Sequence, residues 1–391
     1  MNRFMQLLLT ALVAGLLSGC GPKMPANREV EVPETPEGTA HLRPVLIGGD
    51  ISELSYVEQN GGKFYRQDGA GPEDCVKILA EGGFNIVRLR LYNDPGNPDF
   101  SPSRRLPAGI QDEADVLSLA RRAKEAGMQI ELTFHYSDYW TNGETQTKPH
   151  EWENLDYVAL KQAVYDYTAK VLRDFAAQKT LPEYVSLGNE TQSGLLYPDG
   201  KYDRMGQLCE LFNAGARAVR EVAPQCRIIL HLDDGGNVGK YTWYFDEMAA
   251  HQVDYDVIGA SYYPFWTGKT VEQFCDFAGQ VLERYPGKQM MVMETGYAWN
   301  KTLPNGYPGQ LKDNGPYTDI SPRGQRIFMA ELLAEIRRIE RILGVLYWDP
   351  VFIEVPGIGW ELGGANVVSN TTLFDFGGRA LEVFDAFANP E

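Results

Sequence analysis

Residues 184–190 read YVSLGNE, a short apolar run that ends in an amide and a carboxylate. Residues 205–222, MGQLCELFNAGARAVREV, follow with apolar side chains at helical spacing. A short apolar run with turn residues after it is typical of a buried strand, and the second stretch is typical of an amphipathic helix. This part of the chain therefore predicts one strand–helix unit, with polar side chains where the strand ends.

Seven further strand-like runs have the same character. They are residues 45–52, 85–92, 129–138, 227–233, 256–266, 289–297 and 344–350. Stretches with helical period lie between or after them, at residues 111–126, 155–178, 271–285, 322–342 and 379–387. Strands that alternate with helices indicate a parallel sheet covered by helices. Eight units predict a single α/β domain over residues 44–391, a (β/α)8 TIM barrel with enlarged βα loops. An open doubly wound sheet is the alternative, but no glycine-rich phosphate loop follows the first strand.

The composition is that of a folded protein with a strongly acidic surface. Of 391 residues, 43% are hydrophobic, 23% are charged and 12% are aromatic, and the net charge is −17. The aromatic content argues against disorder. The negative charge argues against binding to nucleic acid or to anionic lipid, because both need Lys and Arg.

The N-terminus resembles an export signal. Residues 1–19 contain Arg3 and then a short apolar run, and the sequence Leu17-Ser18-Gly19-Cys20 resembles a bacterial lipobox. We therefore expect a lipoprotein signal peptide over residues 1–19 and a lipid on Cys20. Residues 20–43, rich in Pro and Glu, would be a tether. The protein would be exported and anchored to a bacterial membrane, at the outer membrane or cell surface. An ordinary signal peptide with a chance cysteine is the alternative.

Four cysteines remain after Cys20, namely Cys75, Cys209, Cys226 and Cys275. None has the C-x-x-C spacing of a zinc site. The helix expected between Cys209 and Cys226 would hold them too far apart for a disulfide. All four are therefore expected to be buried free thiols.

Two glutamates end apolar runs on opposite sides of the predicted barrel. Glu190 ends the fourth strand and Glu294 ends the seventh. Active sites of such barrels lie at the carboxyl ends of the strands, and glycoside hydrolysis needs two facing carboxylates. Ion pairs in the barrel rim are the alternative reading of the two residues.

Charged and imidazole side chains accompany these glutamates. Arg88 and Arg90 share one face of the second strand and should point into the barrel, with Glu294 and Asp50 as partners. Such an arginine would keep Glu294 ionised, unless the contact is only a structural salt bridge. His135 and His231 would bind sugar hydroxyls or be structural. Aromatic side chains near strand ends, such as those around residues 140, 266 and 348, suit the apolar faces of sugars.

Taken together, these stretches resemble the endo-β-1,4-galactanases of glycoside hydrolase family 53. The matching segments are residues 48–52 (GGDIS), 87–90 (VRLR), 135–140 (HYSDYW), 188–190 (GNE), 261–266 (SYYPFW), 294–297 (ETGY), 359–361 (GWE) and 373–376 (LFDF). The resemblance implies that Glu190 is the acid/base and Glu294 the nucleophile of a retaining enzyme. It also implies β-1,4-galactan or type I arabinogalactan, found in pectin side chains, as the polysaccharide substrate.

The resemblance further implies a set of substrate-binding residues. Asn189 would bind the sugar 2-hydroxyl, Arg88 and Tyr263 would orient Glu294, and Trp348 would underlie the attacked sugar. The full set expected to bind substrate is Asp50, Ser52, Arg88, His135, Asp138, Trp140, Asn189, His231, Asp233, Tyr263, Trp266 and Trp348.

Some bacterial family members bind calcium in the loop after the seventh strand. Here that loop, residues 299–307, has no acidic cluster with a histidine, and Asp313 lies later. No metal or other cofactor is therefore expected to be required, and a monomer is assumed. Two alternatives to a galactanase stay open. One is a retaining hydrolase of the same clan acting on mannan or glucan, and the other is a non-catalytic, lipid-anchored glycan-capture protein.

Overall fold

A closed barrel of eight parallel strands forms the centre of the molecule. The computed structural model describes residues 43–387. The strands are β1 (Leu46–Asp50), β2 (Ile86–Leu91), β3 (Gln129–Phe134), β4 (Tyr184–Leu187), β5 (Arg227–Leu232), β6 (Val257–Ser261), β7 (Gln289–Glu294) and β8 (Ile342–Tyr347). Each strand pairs in parallel with its neighbours in the chain, and β1 pairs with β8 to close the barrel. The predicted (β/α)8 fold is confirmed.

The strand β2 shows how the sequence alternates between the two faces of the barrel. Val87, Leu89 and Leu91 pack outward in the main apolar core, whereas Arg88 and Arg90 are buried on the inner face. Below the arginines the interior is apolar, formed by Ile86, Tyr184, Ile229, Val257, Met291, Met293 and Leu346. A barrel interior is filled by layers of side chains. The charged layer therefore lies nearer the carboxyl ends of the strands.

The register of the first three strands places charges side by side. Asp50 is opposite Arg88, and Arg88 is opposite Glu131. A glycine permits the close approach of β1 to β2, because a Cβ at Gly48 would lie 2.0 Å from the carbonyl oxygen of Ile86. The sequence of β1 thus brings the first acidic group directly against the arginines.

Helices surround the barrel. They are α1 (Leu54–Gln59), α2 (Cys75–Glu81), α3 (Glu113–Glu125), α4 (Tyr157–Ala177), α5 (Met205–Val222), α6 (Val238–Ala250), α7 (Pro264–Thr267), α8 (Val271–Arg284) and α9 (Pro322–Ile336). Most of the longer helices begin with a residue whose side chain caps the first turn. Asp112, Asp156 and Ser321 each accept a backbone N–H of the first turn of their helix, and Thr270 forms a capping box with Gln273. Such caps pair the N–H groups that a helix start leaves without partners.

The element boundaries differ from the sequence predictions in several places. Every strand is shorter than its predicted run, because the polar ends leave the ladder for the loops that carry the site. Helix α9 ends at Ile336, and the segment 379–387 forms only a 3₁₀ turn, Glu382–Ala386. Helices α1, α2 and α6 were not predicted, and the short helix α7 lies partly within the run 256–266 that was predicted as strand. Helix α6 contains a glycine and four aromatic residues, which are weak helix formers.

Four cysteines of the described part of the chain are free thiols. Cys75, Cys209 and Cys226 are buried, as predicted, but Cys275 is only partly buried because it lies at the margin of the core on α8. The predicted signal peptide, Cys20 and residues 20–42 of the tether lie outside the described residues. Between residues 43 and 387, no helix is long and apolar enough to cross a membrane.

Candidate active site

A cleft of about 620 Å³ opens at the carboxyl ends of the barrel strands. The predicted site residues that line it are Trp140, Glu190, Asp233, Tyr263, Trp266, Glu294 and Trp348. Aromatic rings alternate there with carboxylates and hydroxyls. Such a mixture suits a sugar, which has apolar C–H faces and an equator of hydroxyl groups.

Glu294 is the last residue of β7, and both of its carboxylate oxygens are hydrogen-bonded. Arg88 Nη1 donates to Oε1 at 2.7 Å, and the Tyr263 hydroxyl donates to Oε2 at 3.1 Å. Burial raises the pKa of Glu294, and the Arg88 charge and both hydrogen bonds act in the opposite direction. Donors on both oxygens stabilise the anion. Glu294 is thus held in one orientation by contacts that favour its ionised form.

Arg88 is fully buried and uses its whole guanidinium group. Its Nη2 donates to Asn189 Oδ1 at 2.7 Å and its Nε donates to Thr133 Oγ1 at 3.1 Å. Asp50 and Glu131 lie 3.6 Å from Nε. The predicted partners of Arg88, Glu294 and Asp50, are therefore both present. A buried cation needs this degree of compensation.

Glu190 follows β4 in a left-handed backbone conformation, with φ of +45°. This conformation costs energy for a residue with a Cβ, and such strain is concentrated at functional sites. The carboxyl group lies against Ser261, with Oε1 2.8 Å from the Ser261 hydroxyl oxygen. Burial first, and then the charges of Glu294 and Asp233, raise the pKa of Glu190 to about 8.

The two carboxyl groups face each other across the cleft. One oxygen of Glu190, one of Glu294 and one ring nitrogen of His231 all lie within 4.8 Å of one another. Retaining glycosidases have their carboxyl groups about 5–5.5 Å apart, whereas inverting enzymes need about 6.5–9.5 Å. The nearest oxygens of Glu190 and Glu294 are thus closer together than the carboxyl groups of inverting enzymes.

A chain of hydrogen bonds determines where the proton of Glu190 lies. Asn189 Nδ2 donates to the Thr141 carbonyl and Asn189 Oδ1 accepts from Arg88, which fixes the amide orientation. His231 Nδ1 is 3.1 Å from that Oδ1, so Nδ1 must carry the hydrogen. Burial, together with the Arg88 charge, lowers the pKa of His231 well below its ordinary value, so the ring is neutral.

The other ring nitrogen of His231 is therefore an acceptor. It lies 2.8 Å from Ser261 Oγ, which must donate its only hydrogen to it. Ser261 Oγ can then only accept from Glu190. This arrangement requires a protonated Glu190, which agrees with the raised pKa of the group.

The remaining predicted site residues lie beneath the surface of the cleft. Asp50, Ser52, Arg88, His135, Asn189 and His231 are at most 1% exposed, and Asp138 is 5% exposed. Ser52 donates to Asp50, and His135 Nδ1 pairs with Thr141 Oγ1 at 2.7 Å. Asp138 accepts the backbone N–H of His150. These side chains support the residues above them, and direct binding of sugar by them stays a prediction.

Several lining residues were not predicted to form the site. They are Asn142, Asp234, Lys240, Ser261, Thr267 and Gln310, whereas Trp360, which also lines the cleft, belongs to the aromatic residues that the sequence suggested for sugar binding. Ser261 ends β6, so its position at the end of a strand was a usable signal. Lys240, which pairs with Asp233 at 2.7 Å, lies on the unpredicted helix α6 and had no signal of its own.

The described residues contain two clusters of three possible metal ligands. In the first, Glu190–His231–Glu294, both nitrogens of His231 are already paired with Asn189 and Ser261. In the second, Asp50–Glu53–Asp349, all three carboxylates contact Arg90. The Arg90 guanidinium group thus occupies the position that a metal cation would need.

The loop after β7 does not fit a calcium ion. Asp313 is exposed and its carboxylate accepts the backbone N–H of Gly315. Neither cluster of possible ligands in the described part of the chain includes a residue of this loop. Calcium takes six to eight oxygen ligands, and between β7 and α9 only two carboxylates follow Glu294, those of Asp313 and Asp319.

The sequence as a whole agrees with this geometry. Residues 46–387 match the family model described as glycosyl hydrolase family 53. The chain belongs to glycosyl hydrolase family 53. It is 30% identical to an endo-beta-1,4-galactanase of Bacillus subtilis (strain 168), over 88% of this chain and 86% of the relative. It is 32% identical to an arabinogalactan endo-beta-1,4-galactanase of Cellvibrio japonicus (strain Ueda107), over 81% of this chain and 83% of the relative.

A solved structure in the same family has the same fold. The glycosyl hydrolase family 53 catalytic domain of Ignisphaera aggregans superposes with a TM-score of 0.83 at 34% identity. The match covers 89% of this chain and 98% of that one. The family and the barrel that the sequence predicted are therefore confirmed.

Proposed function

We propose that this protein is a retaining, endo-acting hydrolase of the β-1,4-galactosidic bonds of galactan or type I arabinogalactan. The single observation that carries the proposal is the pair Glu190 and Glu294, with oxygens within 4.8 Å of each other in an aromatic-lined cleft. The names of the galactan-cleaving relatives support the substrate.

The first step uses both carboxyl groups. An ionised oxygen of Glu294 attacks the anomeric carbon, and the bond from that carbon to the bridging oxygen breaks. The electron pair goes to the leaving oxygen, which takes the proton of Glu190. The products are a covalent galactosyl ester on Glu294 and a shortened chain with a new hydroxyl. Arg88 and Tyr263 support this step because their hydrogen bonds oppose the effect of burial on the pKa of Glu294, favour its ionised form and hold it in one orientation.

The second step reverses the role of Glu190. Its carboxylate now takes a proton from water, and the hydroxide oxygen attacks the anomeric carbon. The bond to Glu294 breaks and the carboxylate returns to its ionised state. Two inversions give net retention, and the hydrogen-bond chain through Ser261 and His231 supports the reloaded proton on Glu190.

The test is to incubate the purified protein with linear β-1,4-galactan and to follow chain length over time. A rapid fall in average length, with the β-anomer formed first by NMR, is expected. Cleavage of mannan or glucan in place of galactan would indicate the other hydrolase, and binding without cleavage would indicate a capture protein.

The variant Glu294→Gln tests the nucleophile. It should keep less than about 1% of the activity while still binding galactan, because the amide preserves shape but cannot form the ester. Glu272→Gln is the matched control, since Glu272 is exposed in the first turn of α8. More than about 1% residual activity in Glu294→Gln would remove the assigned role.

Export and lipid attachment at Cys20 remain part of the proposal. They are supported by the apolar run before Leu17-Ser18-Gly19-Cys20 and by the Pro-rich segment after it. We place the catalytic domain as a monomer on a bacterial membrane, the outer membrane or the cell surface, where a polysaccharide substrate is accessible.

A further inference from the structure

A second cavity of about 270 Å³ adjoins the catalytic cleft. The two share Trp140 and Trp360, whose rings stack with centroids 5.9 Å apart and planes inclined by 14°. Its volume is less than half that of the cleft, which suits a single sugar unit better than a stretch of chain.

The walls of this cavity are aromatic and held in place by neighbouring groups. Tyr139 and Tyr92 complete the wall formed by the two tryptophans. The Tyr139 hydroxyl donates to the Trp360 carbonyl at 3.0 Å, and Trp360 Nε1 donates to Asp349 at 3.2 Å. A wall that is already ordered binds a ligand without the entropy cost of ordering it.

The inner end of the cavity is polar and has hydrogen-bond capacity to spare. Gln111 is 3% exposed and lines the cavity, and its Oε1 is buried with no partner among the described residues. Its Nε2 donates to Glu53 Oε1, so the amide is oriented with the carbonyl oxygen left over. Its backbone is strained, with φ of +56°. A buried acceptor without a partner calls for a donor, and a hydroxyl group is the donor that a sugar provides.

The charges around the cavity exclude one class of sugar. Glu53 and Glu361 both line it, and its cation, Arg90, already contacts Asp50, Glu53 and Asp349. A uronic acid would bring a further carboxylate against these groups. The chemistry therefore selects a neutral sugar with hydroxyl donors and an apolar face.

We propose that this cavity binds a single neutral sugar carried as a branch on the main chain. The inference rests on the proposed function, because the main chain would occupy the adjoining cleft and the branch would cross the edge of the Trp140–Trp360 stack. A pentosyl branch, as on an arabinogalactan, has the size and the neutrality that the cavity requires. Branched galactan is then a substrate that the enzyme accommodates, with the branch at one fixed place.

The experiment compares two forms of one polysaccharide. One is β-1,4-galactan with single arabinosyl branches, and the other is the same galactan after enzymatic debranching. The quantity measured is the ratio of kcat/KM on the branched form to kcat/KM on the debranched form. The products of the branched form are also sequenced from the new reducing end.

Ser103→Trp places an indole at the entrance, where Ser103 is exposed and lines the cavity. Ser101→Trp is the matched control, because Ser101 is exposed in the same turn, shares a hydrogen bond with Ser103 and does not line the cavity. Gln111→Asn is a second test variant. The shorter side chain places the amide farther from the cavity, and asparagine tolerates the left-handed backbone conformation.

The wild-type protein should cleave both forms, with the branch at one position relative to the new end. Ser103→Trp should lower the branched-to-debranched ratio of kcat/KM at least about tenfold, and Gln111→Asn should lower it about threefold. Ser101→Trp should leave this ratio unchanged. If branches occur at random positions in the products, or if Ser103→Trp and Ser101→Trp have the same branched-to-debranched ratio, the branch site is wrong. The proposed function would be unaffected by either result. Failure of the wild-type protein to cleave debranched galactan would overturn the proposed function, and the branch site with it.

Discussion

Replacing Ser261 by alanine tests the assignment of the proton to Glu190. In the structure Ser261 Oγ is 2.8 Å from His231 Nε2 and 2.8 Å from Glu190 Oε1. The hydrogen-bond chain from Asn189 makes Ser261 a donor to the imidazole and an acceptor from the acid form of Glu190. Removal of Oγ therefore takes away a contact that only the protonated carboxyl group makes.

The size of the effect follows from the contact that is lost. A hydrogen bond contributes about 1 kcal/mol net, and one pKa unit corresponds to 1.36 kcal/mol. Ser261→Ala should therefore lower the pKa of Glu190 by about 0.7 unit. Loss of the partner of His231 Nε2 should also destabilise the fold by about 1–3 kcal/mol.

The assay is the pH dependence of kcat/KM on linear galactan, which reports the essential acid of the free enzyme. Its basic limb should move to lower pH in Ser261→Ala, while Ser261→Thr, which keeps the hydroxyl, should restore it. If Ser261 instead donates to an ionised Glu190, its removal would favour the acid form and move the limb to higher pH. An upward shift would refute the proposed proton arrangement.

Three further predictions concern the pH dependence of the wild-type protein, the buried charge of Arg88 and the lipid anchor. The basic limb of kcat/KM in the wild type should report a pKa of about 8, because burial and the charges of Glu294 and Asp233 favour the protonated form of Glu190. Arg88→Met should lower the free energy of unfolding by about 3–5 kcal/mol in urea titrations, since it leaves Glu294 buried without its cation; an unchanged midpoint would contradict this. Cys20→Ala should move the protein from the membrane fraction to the soluble fraction of cells, and continued sedimentation with membranes would rule out the lipid anchor.

Much of the fold could be predicted because parallel strands in a barrel are buried on both faces. Apolar runs such as Met290–Met293 before Glu294 are unmistakable in the sequence, and the polar residue after each run marks the carboxyl end. Pairing of Arg88 with Glu294 and Asp50 was predictable for the same reason, since a buried cation on the inner face must find acids there.

Other features had no comparable local signal. Helix α6 was not predicted, although Tyr241, Tyr244, Phe245 and Met248 lie at helical spacing on its buried face, because its glycine and four aromatic residues are weak helix formers. The position of Lys240, on this helix and at the cleft, was therefore not predicted either. The predicted substrate residues Asp50, Ser52 and His135 lie beneath the cleft, fully buried and hydrogen-bonded to neighbouring side chains, and this burial depends on how the loops pack over the strand ends.

The sequence by itself determined the order of strands and helices, the family, and the two glutamates at strand ends. These depend on burial patterns and short motifs, which are local properties of the chain. Only the tertiary structure decided which groups contact Glu190 and whether its carboxyl group carries a proton. That state depends on the order of donors and acceptors through Arg88, Asn189, His231 and Ser261, which come from four different strand ends and meet only when the barrel closes.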